Sequence, residues 1–388
     1  MGSGPPVSVR ITRRAEWWIA CDPHLGLGQA YLDGDLVFDR GGLEDLMVLI
    51  GRNLPADDRS HRGILDRLWV ALAHRSRQNN DRGHAQRNVA HHYDLGLDLY
   101  RRFLDEDLQY SCAYFPRDDL SLEEAQAAKK AHLASKLRLE PGLRVLDIGC
   151  GWGGLALSLA HGHDVEVLGI TLSTEQLATA KARAEAAGLA HRVRFALADY
   201  RELGGRYDRI VSVGMFEHVG QPNYLSFFET LSDRLTEQGI AVVHSIGRRS
   251  PPGVTSTFIR KYIFPSGYVP ALSEVVAAVE QSGLWITDVE ILRLHYAKTL
   301  RLWRERFAAE RRRIALAYGE RFCRMWEFFL TASEFSFRDG GHMNFQLQLA
   351  RRVDAAPVTR DYMFESERNF LKPASQRRNR RQALGARS

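Results

Sequence analysis

The chain has 388 residues, of which 45% are hydrophobic and 26% charged, and its formal net charge at pH 7 is +6. The composition excludes a largely disordered protein, and no run approaches the roughly 18 uncharged apolar residues that a membrane-spanning helix needs. A chain of this length is expected to form one large domain with an appendage. The positive charge favours an anionic partner, either nucleic acid or an acidic membrane surface.

Cysteine usage predicts a reducing compartment. Cys21, Cys112, Cys150 and Cys323 are widely scattered and include no Cys-x-x-Cys pair, so neither a zinc ribbon nor a disulfide framework is predicted. The first residues carry no apolar run of signal-peptide length, because arginines and a glutamate interrupt them. We therefore predict a cytoplasmic protein whose contact with any membrane is peripheral.

Residues 1–83 are predicted to form a smaller amino-terminal accessory domain. Helices are predicted over residues 43–50 and 64–72, and in the second of these the apolar residues recur at helical spacing among arginines. A basic amphipathic helix of this kind either packs on the rest of its domain or lies on a bilayer surface, and both interpretations stay open. The polar stretch 78–83 is interpreted as the linker to the next domain.

Residues 84–372 are predicted to form an α/β catalytic domain. After a helix over residues 120–139, predicted strands at 144–148, 165–170, 193–198, 209–213 and 240–245 alternate with helices, which indicates a parallel sheet covered on both faces. A long arginine-rich helical region is predicted over 297–333. Residues 344–351 alternate polar and apolar side chains, which predicts an antiparallel strand at the sheet edge. The basic tail, residues 373–388, is predicted to be disordered.

The segment 145–154, Val-Leu-Asp-Ile-Gly-Cys-Gly-Trp-Gly-Gly, predicts a cofactor cradle. A strand that ends in Gly149, Gly151 and Gly153 lets the backbone turn tightly and approach a ligand closely. The segment lacks the Gly-Lys-Ser/Thr ending of a nucleoside triphosphate site. The neighbouring charges are the acids Asp147 and Asp199, and they favour a cationic ligand without phosphate, such as the sulfonium S-adenosylmethionine.

Polar residues gather at the predicted carboxyl ends of the parallel strands, where such sheets bind ligands. The strand 165–170 ends on Thr171 and Leu172 rather than on the acid that a dinucleotide site requires. The other residues at these ends are Ser173, Gln176, Asp199, Tyr200, Glu217, His218 and His244. Ser173 and Gln176 equally match a helix capping box, and His244 equally matches a buried structural histidine. The adjacent His91 and His92 would make poor metal ligands, so no metal site is predicted.

Several motifs, in order from about residue 91 to 352, resemble the cyclopropane fatty acid synthases and the mycolic acid cyclopropane synthases. They are Gln-Tyr-Ser-Cys-Ala-Tyr-Phe at 109–115, the glycine segment, Thr-Leu-Ser-Thr-Glu-Gln at 171–176, residues 208–220 and Lys-Tyr-Ile-Phe-Pro at 261–265. The resemblance implies a doubly wound class I methyltransferase sheet, Rossmann-like, with an antiparallel last strand. Residues 31–35, Tyr-Leu-Asp-Gly-Asp, resemble the amino-terminal extension of the phospholipid-acting members.

The resemblance also implies the site residues. The catalytic positions, arranged around a bound bicarbonate ion, are Cys112, Glu217, His244, Ile246 and Tyr296. The positions that bind S-adenosylmethionine are Tyr110, Ser111, Asp147, Gly149, Gly151, Gly153, Thr171, Leu172, Gln176, Asp199 and Tyr200. One departure is visible: Leu97 stands where many members have asparagine, so the substrate contacts of that loop stay open.

The activity that the resemblance implies is the transfer of a methylene group from S-adenosylmethionine to cis double bonds of unsaturated phospholipid acyl chains. A carbocation forms and bicarbonate removes its proton to close a cyclopropane ring. Implied partners are anionic membrane phospholipids, met peripherally at the inner face, and a second copy of the chain. Nucleic acid is not predicted, because no Asn/Asp-Pro-Pro-Tyr-type motif follows the fourth strand. A methyl-branched or methylene product, or a non-catalytic lipid-binding protein, are the alternatives.

Overall fold

The computed structural model describes residues 6–53 and 96–370. The predictions made for the helix at 64–72, the linker at 78–83, His91, His92 and the basic tail fall outside these residues. None of the helices within the described ranges is both long and apolar enough to cross a membrane.

The amino-terminal residues fold as a two-stranded antiparallel sheet with three helices. These elements are β1 (Ser8–Ile11), α1 (Arg13–Cys21), α2 (Pro23–Asp33), β2 (Leu36–Arg40) and α3 (Leu43–Asn53), and β1 pairs with β2 in antiparallel orientation. Helix α2 begins where the Asp22 carboxylate accepts hydrogen bonds from the backbone N–H groups of His24 and Leu25, at 3.0 and 3.1 Å. The helix ends at Gly34, whose φ of +78° suits a left-handed cap.

The central sheet has seven strands in the order β5-β4-β3-β6-β7-β9-β8. The strands are β3 (Arg144–Ile148), β4 (Glu166–Thr171), β5 (Val193–Leu197), β6 (Tyr207–Val213), β7 (Leu235–Arg248), β8 (Trp285–Leu292) and β9 (His342–Ala350). Neighbours among β3 to β7 are parallel, whereas β9 is antiparallel to both β7 and β8. The predicted doubly wound α/β class, with its antiparallel last strand and additional amino-terminal part, is therefore confirmed.

Helices lie between and after the strands, and some of them cover the two faces of the sheet while others pack on one another and on α2. They are α4 (Leu97–Phe103), α5 (Leu122–Leu137), α6 (Gly154–His163), α7 (Thr174–Ala186), α8 (Tyr224–Arg234), α9 (Thr257–Tyr262), α10 (Leu272–Gln281), α11 (His295–Tyr318), α12 (Glu320–Phe335) and α13 (Asp361–Phe370). The long helical region predicted over 297–333 is two helices, because Gly319, with a φ of +86°, ends α11 and separates it from α12. Glycine takes this backbone conformation without the strain that a side chain would add.

The prediction that residues 344–351 form an edge strand is wrong in one respect. Strand β9 lies between β7 and β8, and β8 is the edge. The apolar side chains of β9 join a hydrophobic core, as predicted, but Asn344, Gln346 and Gln348 on the other side are fully buried rather than solvated. The amide of Gln348 donates to the Lys136 carbonyl at the end of α5, 2.5 Å away. The polar side chains of β9 therefore contact buried partners instead of water.

Helix α2 packs the amino-terminal part against the α/β part. The Tyr31 hydroxyl donates to Glu327 on α12 at 3.2 Å, and the Arg321 guanidinium pairs with Asp33 at 3.0 Å. A Cβ atom added at Gly28 would lie 2.3 Å from the ring of Phe258 on α9, so α2 approaches that aromatic segment as closely as glycine permits. The amino-terminal helices therefore pack directly on α9 and α12.

Candidate cofactor and catalytic site

The glycine segment forms a cradle at the carboxyl end of β3. Gly149, Gly151 and Gly153 have φ angles of +81°, +54° and +82°. A Cβ atom on Gly149 would lie 2.9 Å from Met215 and one on Gly153 2.6 Å from Phe195, whereas one on Gly151 would meet nothing within 4 Å. Two of the glycines thus permit close packing of the turn, and the third borders open space.

A cavity opens above this turn, with about 1200 Å³ of empty space that includes its opening to solvent. Its lining includes Tyr110, Ser111, Asp147, Gly149, Gly151, Thr171, Leu172, Gln176, Asp199 and Tyr200. The structure therefore gathers these predicted cofactor positions around one cavity. Gly153 is not in the lining, because it packs against Phe195 beneath the turn.

The two acids of the cradle differ in their surroundings. The Asp199 carboxylate is held by the Arg201 guanidinium, at 2.8 and 2.6 Å, so its charge is largely balanced. Burial raises the pKa of Asp147 to about 7, and its Oδ2 has no hydrogen-bond partner within the described residues. Such an unpaired buried acceptor fits a ligand that carries positive charge or hydrogen-bond donors. The cradle, with space above Gly151, therefore fits S-adenosylmethionine.

The sequence left two roles open for Ser173 and Gln176, at the junction of β4 and α7: a helix capping box or a place in the cofactor site. The Ser173 hydroxyl accepts a hydrogen bond from the backbone N–H of Gln176 at 3.2 Å, as an N-cap does. The Gln176 side chain does not complete a capping box, because its Oε1 accepts from the Thr171 hydroxyl at 2.7 Å. Gln176 is therefore fixed in the cavity wall while Ser173 caps the helix.

Glu217 and Ile246 are in direct contact. Glu217 lies in a single helical turn after β6, and its Oε1 accepts a hydrogen bond from the Ile246 backbone N–H at 2.6 Å. Its Oε2 is buried and has no partner within the described residues. Burial raises the pKa of Glu217 to about 7, with the Ile246 hydrogen bond acting in the opposite direction. The neighbours Met215 and His218 line the cofactor cavity, so this carboxyl group adjoins it.

His244 is a buried neutral ring on β7. Its Nδ1 lies 3.0 Å from the amide nitrogen of Gln346 and its Nε2 3.4 Å from that of Asn344, both on β9. Burial lowers the pKa of His244 to about 3. An amide nitrogen only donates, and a neutral imidazole has one acceptor nitrogen, so the shorter contact is assigned as the hydrogen bond that the Gln346 amide donates to Nδ1.

Cys112 lies in the loop 109–115 and Tyr296 on α11, and neither side chain is in the lining of the cofactor cavity. The Cys112 thiol is buried and donates to the Ala113 carbonyl at 3.3 Å, and burial raises its pKa well above the usual range. It is therefore a protonated thiol rather than a nucleophile. The Tyr296 ring packs on Phe337 with centroids 4.7 Å apart. One turn later, the Thr299 hydroxyl accepts from the Ala113 N–H at 3.1 Å, which joins α11 to the loop.

Comparison with known proteins identifies the family. A family model described as mycolic acid cyclopropane synthetase matches residues 80–347. The chain belongs to this family. It is 40% identical over 332 residues to cyclopropane-fatty-acyl-phospholipid synthase of Escherichia coli, covering 85% of this chain and 84% of that protein. It is also 41% identical over 271 residues to "Probable fatty acid methyltransferase" of Pseudomonas putida, covering 68% of this chain and 69% of that protein.

A solved structure of the same cyclopropane synthetase family shares the fold. Mycolic acid cyclopropane synthase CmaA1, complexed with SAH and CTAB, matches with a TM-score of 0.65 and 35% identity, covering 68% of this chain and 97% of that chain. The present family member is thus an S-adenosylmethionine-dependent methyltransferase with a class I fold.

Two polar residues of α5 anchor the loop 109–115, and neither was predicted from the sequence. The fully buried Lys129 ammonium donates to the Gln109 side-chain oxygen at 2.6 Å and to the Ser111 hydroxyl at 2.8 Å. The Gln126 amide donates to the Ser111 carbonyl at 3.0 Å. Burial lowers the pKa of Lys129 to about 8. The available signal was a stripe of polar residues, 126, 129, 132 and 136, at helical spacing.

Replacing Lys129 with methionine is expected to weaken S-adenosylmethionine binding by about tenfold, since it removes two hydrogen bonds that hold Gln109 and Ser111. Methionine has a similar length, so the core should stay filled. Lys181→Met, at an exposed position on α7, is the matched control. Calorimetric titration with the cofactor measures both. Equal affinities for the two variants would contradict the anchoring role of Lys129.

Proposed function

We propose that this enzyme transfers a methylene group from S-adenosylmethionine to cis double bonds in the acyl chains of membrane phospholipids, and so forms cyclopropane rings. The observation that carries the proposal is the buried Glu217 carboxyl, which meets the Ile246 N–H beside the cofactor cavity and leaves one oxygen unpaired within the described residues. A carboxyl group in this position suits a reaction in which positive charge develops next to the cofactor.

The phospholipid substrate is supported by the extent of similarity. The match to the Escherichia coli cyclopropane-fatty-acyl-phospholipid synthase covers 85% of this chain, whereas the family model begins only at residue 80. The amino-terminal part, which we propose as a lipid-associated domain over residues 1–83, also exposes Trp17 to 70%, one turn after the exposed Arg13 on α1. Aromatic and basic side chains together suit the interface of an anionic bilayer. The proposal thus includes peripheral membrane contact of a cytoplasmic enzyme, and a dimer stays a prediction.

The chemistry requires a methyl donor and a base. S-adenosylmethionine would supply the methyl group to the alkene. A bicarbonate ion, which Glu217, His244, Tyr296 and the backbone near Cys112 and Ile246 would hold, would supply the base for the proton that leaves. In this arrangement Glu217 provides its second oxygen, Oε2, for a hydrogen bond. The neutral His244 ring, fixed by Gln346, can orient a partner without adding charge.

The aromatic side chains around Tyr296 would keep water from the reacting groups. Tyr296 packs on Trp303 with centroids 5.8 Å apart as well as on Phe337, and both of these neighbours are buried. A cation that met water would be captured as an alcohol, so a dry aromatic wall protects ring closure. The faces of such rings also attract positive charge.

A second candidate function is transfer of a methyl group without ring closure. The observation that favours it is the 41% identity to the Pseudomonas putida protein named as a fatty acid methyltransferase. The same cavity and the same Glu217 carboxyl would serve this reaction, so the two candidates differ in the product.

Expression in a host that makes no cyclopropane fatty acids tests the proposed activity. We expect its phospholipid acyl chains to gain the mass of one CH2 for each alkene that is lost, as measured by mass spectrometry of lipid extracts. The matched control is the Glu217→Gln variant expressed at the same level. Unchanged extracts from cells that contain folded protein with bound cofactor would contradict the proposal.

A further inference from the structure

A buried ionic cluster connects the helix α13 to the loop 109–115. At its centre is His132 on α5, whose side chain is 2% exposed. Its Nε2 lies 2.6 Å from the carboxylate of Glu290 on β8, and its Nδ1 lies 3.2 Å from that of Glu367 on α13. Each ring nitrogen therefore faces a carboxylate. Only the charged imidazolium, which carries a proton on both nitrogens, can donate to both.

The His132 ring also lies flat against Tyr114 in the loop. The two ring centroids are 4.2 Å apart and the planes differ by 11°. Tyr114 stacks in addition on His295 at 5.1 Å, and the Phe115 backbone N–H donates to the Nδ1 of His295 at 2.9 Å. A cation on the face of an aromatic ring is attracted by the ring electrons. The charged His132 therefore holds the loop two residues beyond Cys112.

The charges around His132 come from each element that packs on it. They are Lys136 on α5, Asp288 and Glu290 on β8, and Arg360 and Glu367 at α13, while His244 on β7 and His295 on α11 are the other titratable rings. Lys136 lies 2.5 Å from Glu290 and Arg360 lies 2.9 Å from Asp288. With His132 protonated, three cations match three carboxylates, so loss of its proton leaves the cluster with net negative charge.

Helix α13 lies beyond residue 347, where the match to the family model ends. Building on the proposed methyltransferase function, we propose that α13 positions the cofactor loop: Glu367 holds the His132 ring, and the His132 ring holds Tyr114 and the loop 109–115. His132 and Glu367 are thus positioning residues, because they act on the cofactor through Tyr114.

This arrangement makes cofactor binding depend on pH. Burial opposes the charge on His132, but the hydrogen bonds to Glu290 and Glu367 outweigh it and raise the pKa of the ring above its usual range. A raised pKa means that the contribution of the charged ring is present at low and neutral pH and is lost as the pH rises through that value. Cofactor affinity should therefore fall on the alkaline side.

The test compares Glu367→Gln with Glu365→Gln, an exposed position on the same helix that loses the same charge. Calorimetric titration with S-adenosylhomocysteine from about pH 6 to about pH 9 gives the affinity without any acceptor lipid. Glu365→Gln should follow the wild type. Glu367→Gln should bind about three- to tenfold more weakly near neutral pH, and its alkaline decline should move down by about one pH unit. The KM for S-adenosylmethionine should rise in parallel, with kcat nearly unchanged.

A second variant, Tyr114→Leu, removes the ring that His132 contacts. It should weaken binding and leave only the smaller alkaline decline that comes from Lys129, whose pKa is about 8. The double variant with Glu367→Gln should bind no more weakly than the weaker single variant. Identical pH profiles of cofactor affinity for Glu367→Gln and Glu365→Gln, or full additivity in the double variant, would overturn the proposal. If Glu367→Gln does not fold, the proposal is overturned when the cofactor affinity of Tyr114→Leu falls at alkaline pH as much as that of the wild type. Absence of a cyclopropane product alongside these binding profiles would instead contradict the proposed function alone.

Discussion

Replacing Glu217 with glutamine is expected to reduce turnover by on the order of 10²- to 10³-fold while cofactor affinity stays within about threefold. Glutamine keeps the side-chain oxygen that accepts the Ile246 N–H, so the local fold should survive. The variant loses the carboxylate charge beside the cavity, which we propose stabilises the developing cation. Single-turnover rates and calorimetric titration with S-adenosylmethionine separate the two effects. Unchanged turnover would remove Glu217 from the proposed chemistry.

The Glu217→Gln variant should also change how the unfolding free energy depends on pH. Burial raises the pKa of Glu217 from 4.5 to about 7, so the folded protein retains a proton that the unfolded chain releases between these values. The unfolding free energy of the wild type should therefore fall across this pH range, whereas the glutamine of the variant cannot ionise. Relative to the wild type, Glu217→Gln should gain up to about 3 kcal/mol between about pH 5 and about pH 8. Denaturant titrations at the two pH values measure this difference, and a constant difference would contradict the raised pKa.

The second large effect is expected at the cradle. Gly151→Ala should weaken binding of S-adenosylmethionine by about 100-fold, or about 2.8 kcal/mol, because the new methyl group points into the open space of the cavity. The control is Gly142→Ala, since Gly142 also has a positive φ, +82°, and its Cβ would meet nothing within 4 Å.

Both glycine variants should lose about 1 kcal/mol of stability from the strained backbone. Only Gly151→Ala should also bind the cofactor more weakly. Thermal melting and calorimetric titration of the two proteins give these quantities side by side. Equal cofactor affinities would mean that the space above Gly151 is not where the cofactor binds.

Local signals in the sequence were sufficient for much of the fold and the cradle. Strand β3 and the glycines after it were predicted because a buried strand and a tight turn depend on neighbouring residues, and Asp147 and Gly151 do line the predicted cavity. The break between α11 and α12 was missed, although Gly319 marks it, because the arginine-rich pattern continues on both sides. A single glycine within a helical pattern is weak evidence for a break.

The remaining features depend on contacts between residues far apart in the chain. The polar alternation in β9 is typical of an edge strand, yet Gln346 and Gln348 find buried partners in His244 and in the carboxyl end of α5. Lys129 was not predicted to have a role, because its part in holding Ser111 arises only from the packing of the helix on the loop. Buried polar networks of this kind cannot be inferred from periodicity, because periodicity predicts exposure for every polar residue.

The central claim, ring closure on phospholipid acyl chains, is tested most directly by the proton magnetic resonance spectrum of the product. The purified enzyme is incubated with S-adenosylmethionine, bicarbonate and vesicles of an unsaturated phospholipid, and the acyl chains are then recovered. The account predicts that vinyl signals disappear and that cyclopropane signals appear at unusually high field in matching amounts. Signals of a methyl branch or of a methylene group, with no high-field protons, would contradict it.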